Sequence, residues 1–168
     1  MKKSLIAVAL TAATSLNAFA QTPAAPAQPA VRSPALDVAL EAARAAIESC
    51  TERNQKAAVS VVDSAGVLRV LLATDGASPR GVSSSTAKAV TALHFKAPTS
   101  LLAERVKTDR ELADRIAANA AYNARAGGIP LLVQGEVIGA VGVGGARGSE
   151  VDEACGLVGI EKVQARLL

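Results

Sequence analysis

The stretch from Gly127 to Gly148, GGIPLLVQGEVIGAVGVGGARG, constrains the fold more than any other part of the chain. Two apolar runs, Leu131–Val133 and Val137–Val143, flank Gln134-Gly135-Glu136. Near-continuous apolar residues bounded by turn residues predict a buried β-hairpin. Glycines at 142, 144, 145 and 148 let the backbone bend sharply and approach a neighbour closely.

A second hairpin is expected over Ala58–Asp63 and Val67–Ala73, around Asp63-Ser64-Ala65-Gly66. Asp opens that turn and Gly stands where positive φ is needed. Asp63 is therefore read as bonding its own backbone, in preference to acting as a functional acid. Helices fill the rest. Ser33-Pro34 supplies the cap and first-turn residues of a helix reaching about Asn54. Leu36, Leu40, Ala43, Ile47 and Cys50 recur on one face of it. Ser78–Gly81 reads as a loop, and the serines at 83–85 as the cap of an alanine-rich helix ending near Lys96. Pro98 stops that helix, and Thr99 or Ser100 caps a short one. Thr108-Asp109-Arg110-Glu111 resembles a capping box opening a helix to about Asn123. Ser149 caps a last helix with Glu150, Asp152 and Glu153 in its first turn, where negative charge suits the helix dipole.

Two separate hairpins among helices favour an antiparallel sheet over parallel crossovers, an α/β chain of the α+β kind. If the first and last helices cover one face and run antiparallel, Cys50 and Cys155 come side by side. These two cysteines either pair or stay as separate buried thiols.

The first twenty residues read as a secretory signal peptide. Lys2 and Lys3 precede the apolar run Leu5–Leu10, and Ala18-Phe19-Ala20 fits a cleavage site. Pro23, Pro26 and Pro29 among alanines then mark residues 21–33 as a disordered linker, leaving 34–168 as one domain, periplasmic or secreted. Lys2 and Lys3 account for two of the 18 basic residues, against 15 acidic. The mature chain is therefore close to neutral and carries only Phe95 and Tyr122 as aromatics. That composition argues against nucleic-acid binding, and no mature segment reads as a membrane span.

The chain resembles the GlcG/HbpS-like family, also called the haem-degrading domain family. The matching residues are Val61-Val62-Asp63 with Gly66, Asp75-Gly76-Ala77, Lys88-Ala89 with Thr91-Ala92, Pro98-Thr99, Gly127–Leu131, and Gly135 with Ile138–Val143. They span roughly residues 35 to 165. The resemblance implies a profilin-like sandwich: a central antiparallel sheet flanked by helices on both faces. It also implies a homo-oligomer. Some secreted relatives bind haem, while others are cytoplasmic and sit near glycolate or diol metabolism.

Haem needs an apolar slot, an axial ligand in many sites, and cations near its propionates. His94 is the first axial candidate, with Ala87, Val90 and Ala97 as small or apolar helical neighbours. Its alternative is an ordinary surface histidine. Tyr122 is the second candidate, against a ring that packs and exposes its hydroxyl. The cysteines are further candidates unless they are bonded to each other. Thr99 and Lys88, within the matching segments, are taken with them as cofactor-binding. Arg147, after the Gly144-Gly145 bend, suits a propionate, another carboxylate or a phosphate, and Arg80 and Lys88 are comparable candidates for anion contact. Glu150 and Glu153 would put two carboxylates on one helical side, a weak site for a hard cation that helix-capping acids explain more simply.

A single histidine, no Gly-x-Ser-x-Gly elbow and no ligand cluster leave hydrolytic catalysis with little support, and a lone carboxylate base acting on a small hydroxy or keto acid stays open. The expectation is an exported, oligomeric haem- or tetrapyrrole-binding protein for storage, scavenging or sensing. The alternative is an enzyme or sensor for a small hydroxy or keto carboxylate held by the Gly142–Gly148 bend and Arg147. A third reading is an interaction module serving a sensor or transport partner.

Overall fold

The computed structural model describes residues 30–167. The expected signal peptide, and the linker up to residue 29, lie outside the described residues. Helix α1 (Leu36–Glu52) precedes strands β1 (Ala58–Asp63) and β2 (Leu68–Ala73). Helices α2 (Pro79–Phe95), α3 (Thr99–Arg105) and α4 (Arg110–Ala117) follow. Strands β3 (Gly128–Val133) and β4 (Glu136–Gly144) then lead to α5 (Ser149–Val163) and a short 3-10 turn.

The four strands form one antiparallel sheet, ordered β2-β1-β4-β3. Each hairpin pairs within itself, and β1 joins β4 from Ala58 opposite Gly144 to Asp63 opposite Gly139. Helices α1 and α5 cover one face and α2 the other, so every residue of β1 is buried. This is the sandwich expected from the resemblance. Gln134 and Gly135 both take positive φ, the geometry that matches a tight hairpin turn to strand twist. Asp63 Oδ1 accepts from the Ala65 and Val67 amides, closing the first turn on itself.

Several helix starts differ from the sequence reading. Ser33 caps nothing; its hydroxyl donates to the Pro34 carbonyl, and α1 begins at Leu36. The cause lies upstream. Arg32 exchanges two hydrogen bonds with Ser64, its amide donating to Ser64 Oγ and its carbonyl accepting from the Ser64 amide, which fixes the approaching chain. The serine-proline signal operates instead at Ser78-Pro79, where Ser78 Oγ accepts from the Gly81 amide and α2 starts a turn before the expected serine run. Asp109, not Thr108, caps α4, and Gly148, not Ser149, occupies the cap position of α5. Helix α4 stops at Ala117 because Asn119 folds the chain, its side chain accepting from the Ala121 amide.

The buried face of α1 is Val38, Ala39, Ala42, Ala43, Ala46 and Cys50, while Leu36 is exposed. Helix α5 comes too close for leucines: a Cβ added at Gly159 would lie 2.4 Å from the Ala42 carbonyl oxygen. The α2 face is tighter still. A Cβ at Gly142 would lie 2.0 Å from the Ser85 carbonyl and 2.6 Å from the Ala89 amide nitrogen. Ser60 on β1 fills the remaining gap with hydroxyl contacts to Ser85 at 2.8 Å and Thr86 at 2.9 Å. Helix α2 therefore lies backbone to backbone on the sheet, and this sets the position of every side chain it carries.

Cys50 and Cys155 form a disulfide between the end of α1 and the start of α5, with Cα atoms 5.4 Å apart. Neither sulfur is free to ligate iron.

Candidate functional site

Two openings lie on the α2 side of the molecule, and Tyr122 lines both. The first, about 550 Å³, is polar and has an ion pair in its wall. Lys88 of α2 places Nζ 2.6 Å from Asp152 Oδ2 in the first turn of α5, with side chains only 2% and 5% exposed. Gly127, at φ +119°, and Gly128 make the meeting possible, since a Cβ at Gly128 would sit 2.3 Å from the Lys88 carbonyl. Asp152 Oδ1 also accepts from the Ala146 amide at 2.9 Å. Burial pushes the Lys88 ammonium below its ordinary range and the Asp152 carboxyl above its own, and their mutual hydrogen bond offsets part of each shift. Arg80, Asn123, Arg125 and Ser149 complete the polar wall. Arg125 Nε donates to Ser149 Oγ at 3.0 Å, and Asn123 Nδ2 donates to Ser84 Oγ at 3.0 Å.

The second opening is a groove of about 800 Å³ beside the end of α2. Val90, Leu93, Leu132 and Val137 give it aliphatic surface, and Ser64, Gln134 and Glu136 of the two hairpin turns form polar margins. His94 and Tyr122 lie in it with ring centroids 5.0 Å apart. Phe95 packs edge-on to both, at 4.9 Å from His94 and 5.5 Å from Tyr122. The Arg115 guanidinium stands 5.5 Å from the centre of the Phe95 ring, within cation–π range. All the aromatic side chains of the described residues thus meet the one histidine in a single surface cluster. Lys96, the left-handed cap of α2, adds a cation to the groove.

The structure brings His94 and Tyr122 together and puts Lys88 at the neighbouring opening. Thr99 lines neither. Its buried hydroxyl accepts from the Gly128 amide at 2.8 Å and holds the glycine pair against α2. Arg147 is exposed and lines neither opening; its amide donates to Gln55 Oε1. Glu150 is exposed, whereas Glu153 accepts from Ser100 Oγ at 2.6 Å. Among the described residues no group of three or more His, Cys, Asp or Glu side chains gathers as for a metal ion. The sequence reading missed Asp152, Asn123 and Arg125 as site residues. Asp152 looked like any acid in a first turn, and nothing local marks Arg125.

The model of the family described as haem degrading protein HbpS-like matches residues 35–161, a span that includes all of both openings. The chain belongs to this HbpS-like family. Among solved structures it is similar to HbpS, at 32% identity and TM-score 0.74, over 84% of this chain and 97% of that one. It is also similar to the Klebsiella pneumoniae protein ORFY, at 26% identity and TM-score 0.75, over 86% and 99%. PduOC, solved as a haem complex, shares the HbpS-like fold at 24% identity and TM-score 0.72, over 77% and 94%. No curated protein sequence matches the chain significantly.

Proposed function

We propose that this HbpS-like protein is exported and binds haem or a related tetrapyrrole in the His94–Tyr122 groove, for storage, scavenging or sensing. The observation that carries the reading is the gathering of His94, Tyr122 and Phe95 beside an aliphatic wall. A flat macrocycle stacks on such rings and covers Val90, Leu93 and Leu132. The groove volume lies within the range of small-molecule and cofactor sites, and the residues present fit the group. His94 would offer the iron an imidazole nitrogen, Tyr122 would offer a phenol oxygen, and Lys96 would place a charge near a propionate. Bound haem would supply the iron and its redox chemistry.

Membership of a haem-named family supports the ligand class, and the haem complex of a protein with the same fold is compatible with it. Export is supported by the amino-terminal sequence and by the Cys50–Cys155 bridge, which suits an oxidising compartment. A homo-oligomer would cover Val67, Leu68 and Leu71, exposed apolar residues at or beside the edge strand β2.

Titration of the mature protein with hemin tests the reading. We expect a saturable Soret shift that His94→Ala displaces or abolishes and Tyr122→Phe alters less. An unshifted spectrum overturns haem binding. A spectrum identical in His94→Ala removes the imidazole from the site.

A further inference from the structure

The polar opening has no place in the haem reading. Its deepest cation, Lys88, has one hydrogen-bond partner among the described residues, Asp152, although an ammonium has three donors. Asp152 is committed on both oxygens, to Lys88 and to the Ala146 amide. Nearer the mouth stand Arg80 and Arg125, and neither has a carboxylate within salt-bridge distance among the described residues. Asp152 pairs with Lys88, so the wall keeps two guanidinium groups that no carboxylate of the described residues bridges. Glu150, close enough to act on Lys88, does not line the opening. Apart from Tyr122, shared with the groove, the remaining surface is mostly small or hydroxylic, as at Ser83, Ser84, Ser149, Ala87 and Ala146. Such a wall gives a porphyrin little apolar area to cover. It suits a compact ligand rich in oxygen acceptors.

We propose that this cavity is a second ligand site, adjoining the groove at Tyr122, that takes a small dianionic metabolite of the dicarboxylate or phosphate-monoester class. The two arginines hold the paired negative charges, as planar donors suited to carboxylate and phosphate. Lys88 Nζ and the serine hydroxyls then bond the ligand's remaining oxygens. Of the cations that the sequence offers for an anion, Arg80 and Lys88 line this cavity and Arg147 does not; Arg125 joins them.

The test is calorimetric titration of the mature, oxidised protein with malate and with glycerol 3-phosphate. Acetate at matched ionic strength is the control. We expect saturable binding of at least one dianion at millimolar concentrations or below, with acetate weaker. The arm that binds identifies the source of the charge. An Arg80→Gln, Arg125→Gln double variant alters exposed side chains and leaves the Lys88–Asp152 pair in place. It should weaken binding about 100-fold, about tenfold for each charge-assisted contact. Lys88→Met should weaken it as well; if that variant fails to fold, the arginine variant alone decides. Dianions that behave like acetate, or affinity unchanged in the arginine variant, overturn the proposal.

Discussion

Replacing Asp152 with alanine tests the electrostatic anchor of the α2–α5 junction. The substitution strands the Lys88 ammonium, whose side chain is 2% exposed, and removes the acceptor of the Ala146 amide. Breaking a buried pair by deleting one partner costs about 3–5 kcal/mol. Lys88 lines an open polar cavity, so the expected loss is near the lower limit, about 3 kcal/mol, or roughly 10 °C in Tm for a domain of this size. Asp152→Asn separates the two contributions, because its amide oxygen still accepts from Ala146 while the charge is gone. Adding Lys88→Met to Asp152→Ala removes the stranded charge and should bring stability back to within about 1 kcal/mol of the wild type. Urea unfolding of the oxidised protein measures all four. A single-variant loss below about 1 kcal/mol, or no recovery in the double variant, refutes the reasoning.

The same pair predicts a pH dependence. Asp152 sits above the ordinary carboxylate value, so the folded state takes its proton before the unfolded chain does, and stability from this group rises as pH falls through that window. Lys88 sits below the ordinary ammonium value, so its contribution rises as pH climbs toward that value. The Tm difference between wild type and Lys88→Met, Asp152→Asn should be least favourable to the wild type near neutrality; a maximum there contradicts it. Gly142→Ala should cost about 3 kcal/mol, high in the overpacking range, because the added carbon meets main chain of α2 that cannot swing aside. Urea unfolding checks this, and a loss below about 1 kcal/mol counts against it. Replacing both cysteines with alanine should cost about 4 kcal/mol, since the bridge closes a loop with a separation of 105 residues. Thiol titration of denatured, unreduced protein should find no free cysteine.

Both hairpins were legible because their signals are local. Asp63 with Gly66 and Gln134 with Gly135 each state a turn within four residues, and the apolar runs beside them leave one reading. Helix starts were less legible, because Ser33-Pro34 and Ser78-Pro79 look alike in sequence. Only the anchoring of Arg32 to Ser64 makes the first pair fail as a cap. Leu36 misled because α1 buries alanines where α5 approaches at Gly159, a demand set by a distant helix. The candidate site divides in the same way. His94, Tyr122 and Lys88 stood out by residue type. The partner of Lys88 lies 64 residues away, and its pairing depends on the Gly127-Gly128 crossing, which no local pattern encodes. Arg125 acquires its place by the same crossing.

The central claim, that a tetrapyrrole lies in the groove between the hairpin turns and the end of α2, is tested most directly by mapping the bound ring. Zinc protoporphyrin added to isotope-labelled mature protein should shift the amide resonances of Val90, Leu93, His94, Lys96, Leu132 and Val137. Those of Leu40, Arg44 and Lys162 on the opposite, α1–α5 face should stay in place. Shifts confined to that opposite face, or none at saturating porphyrin, would contradict it.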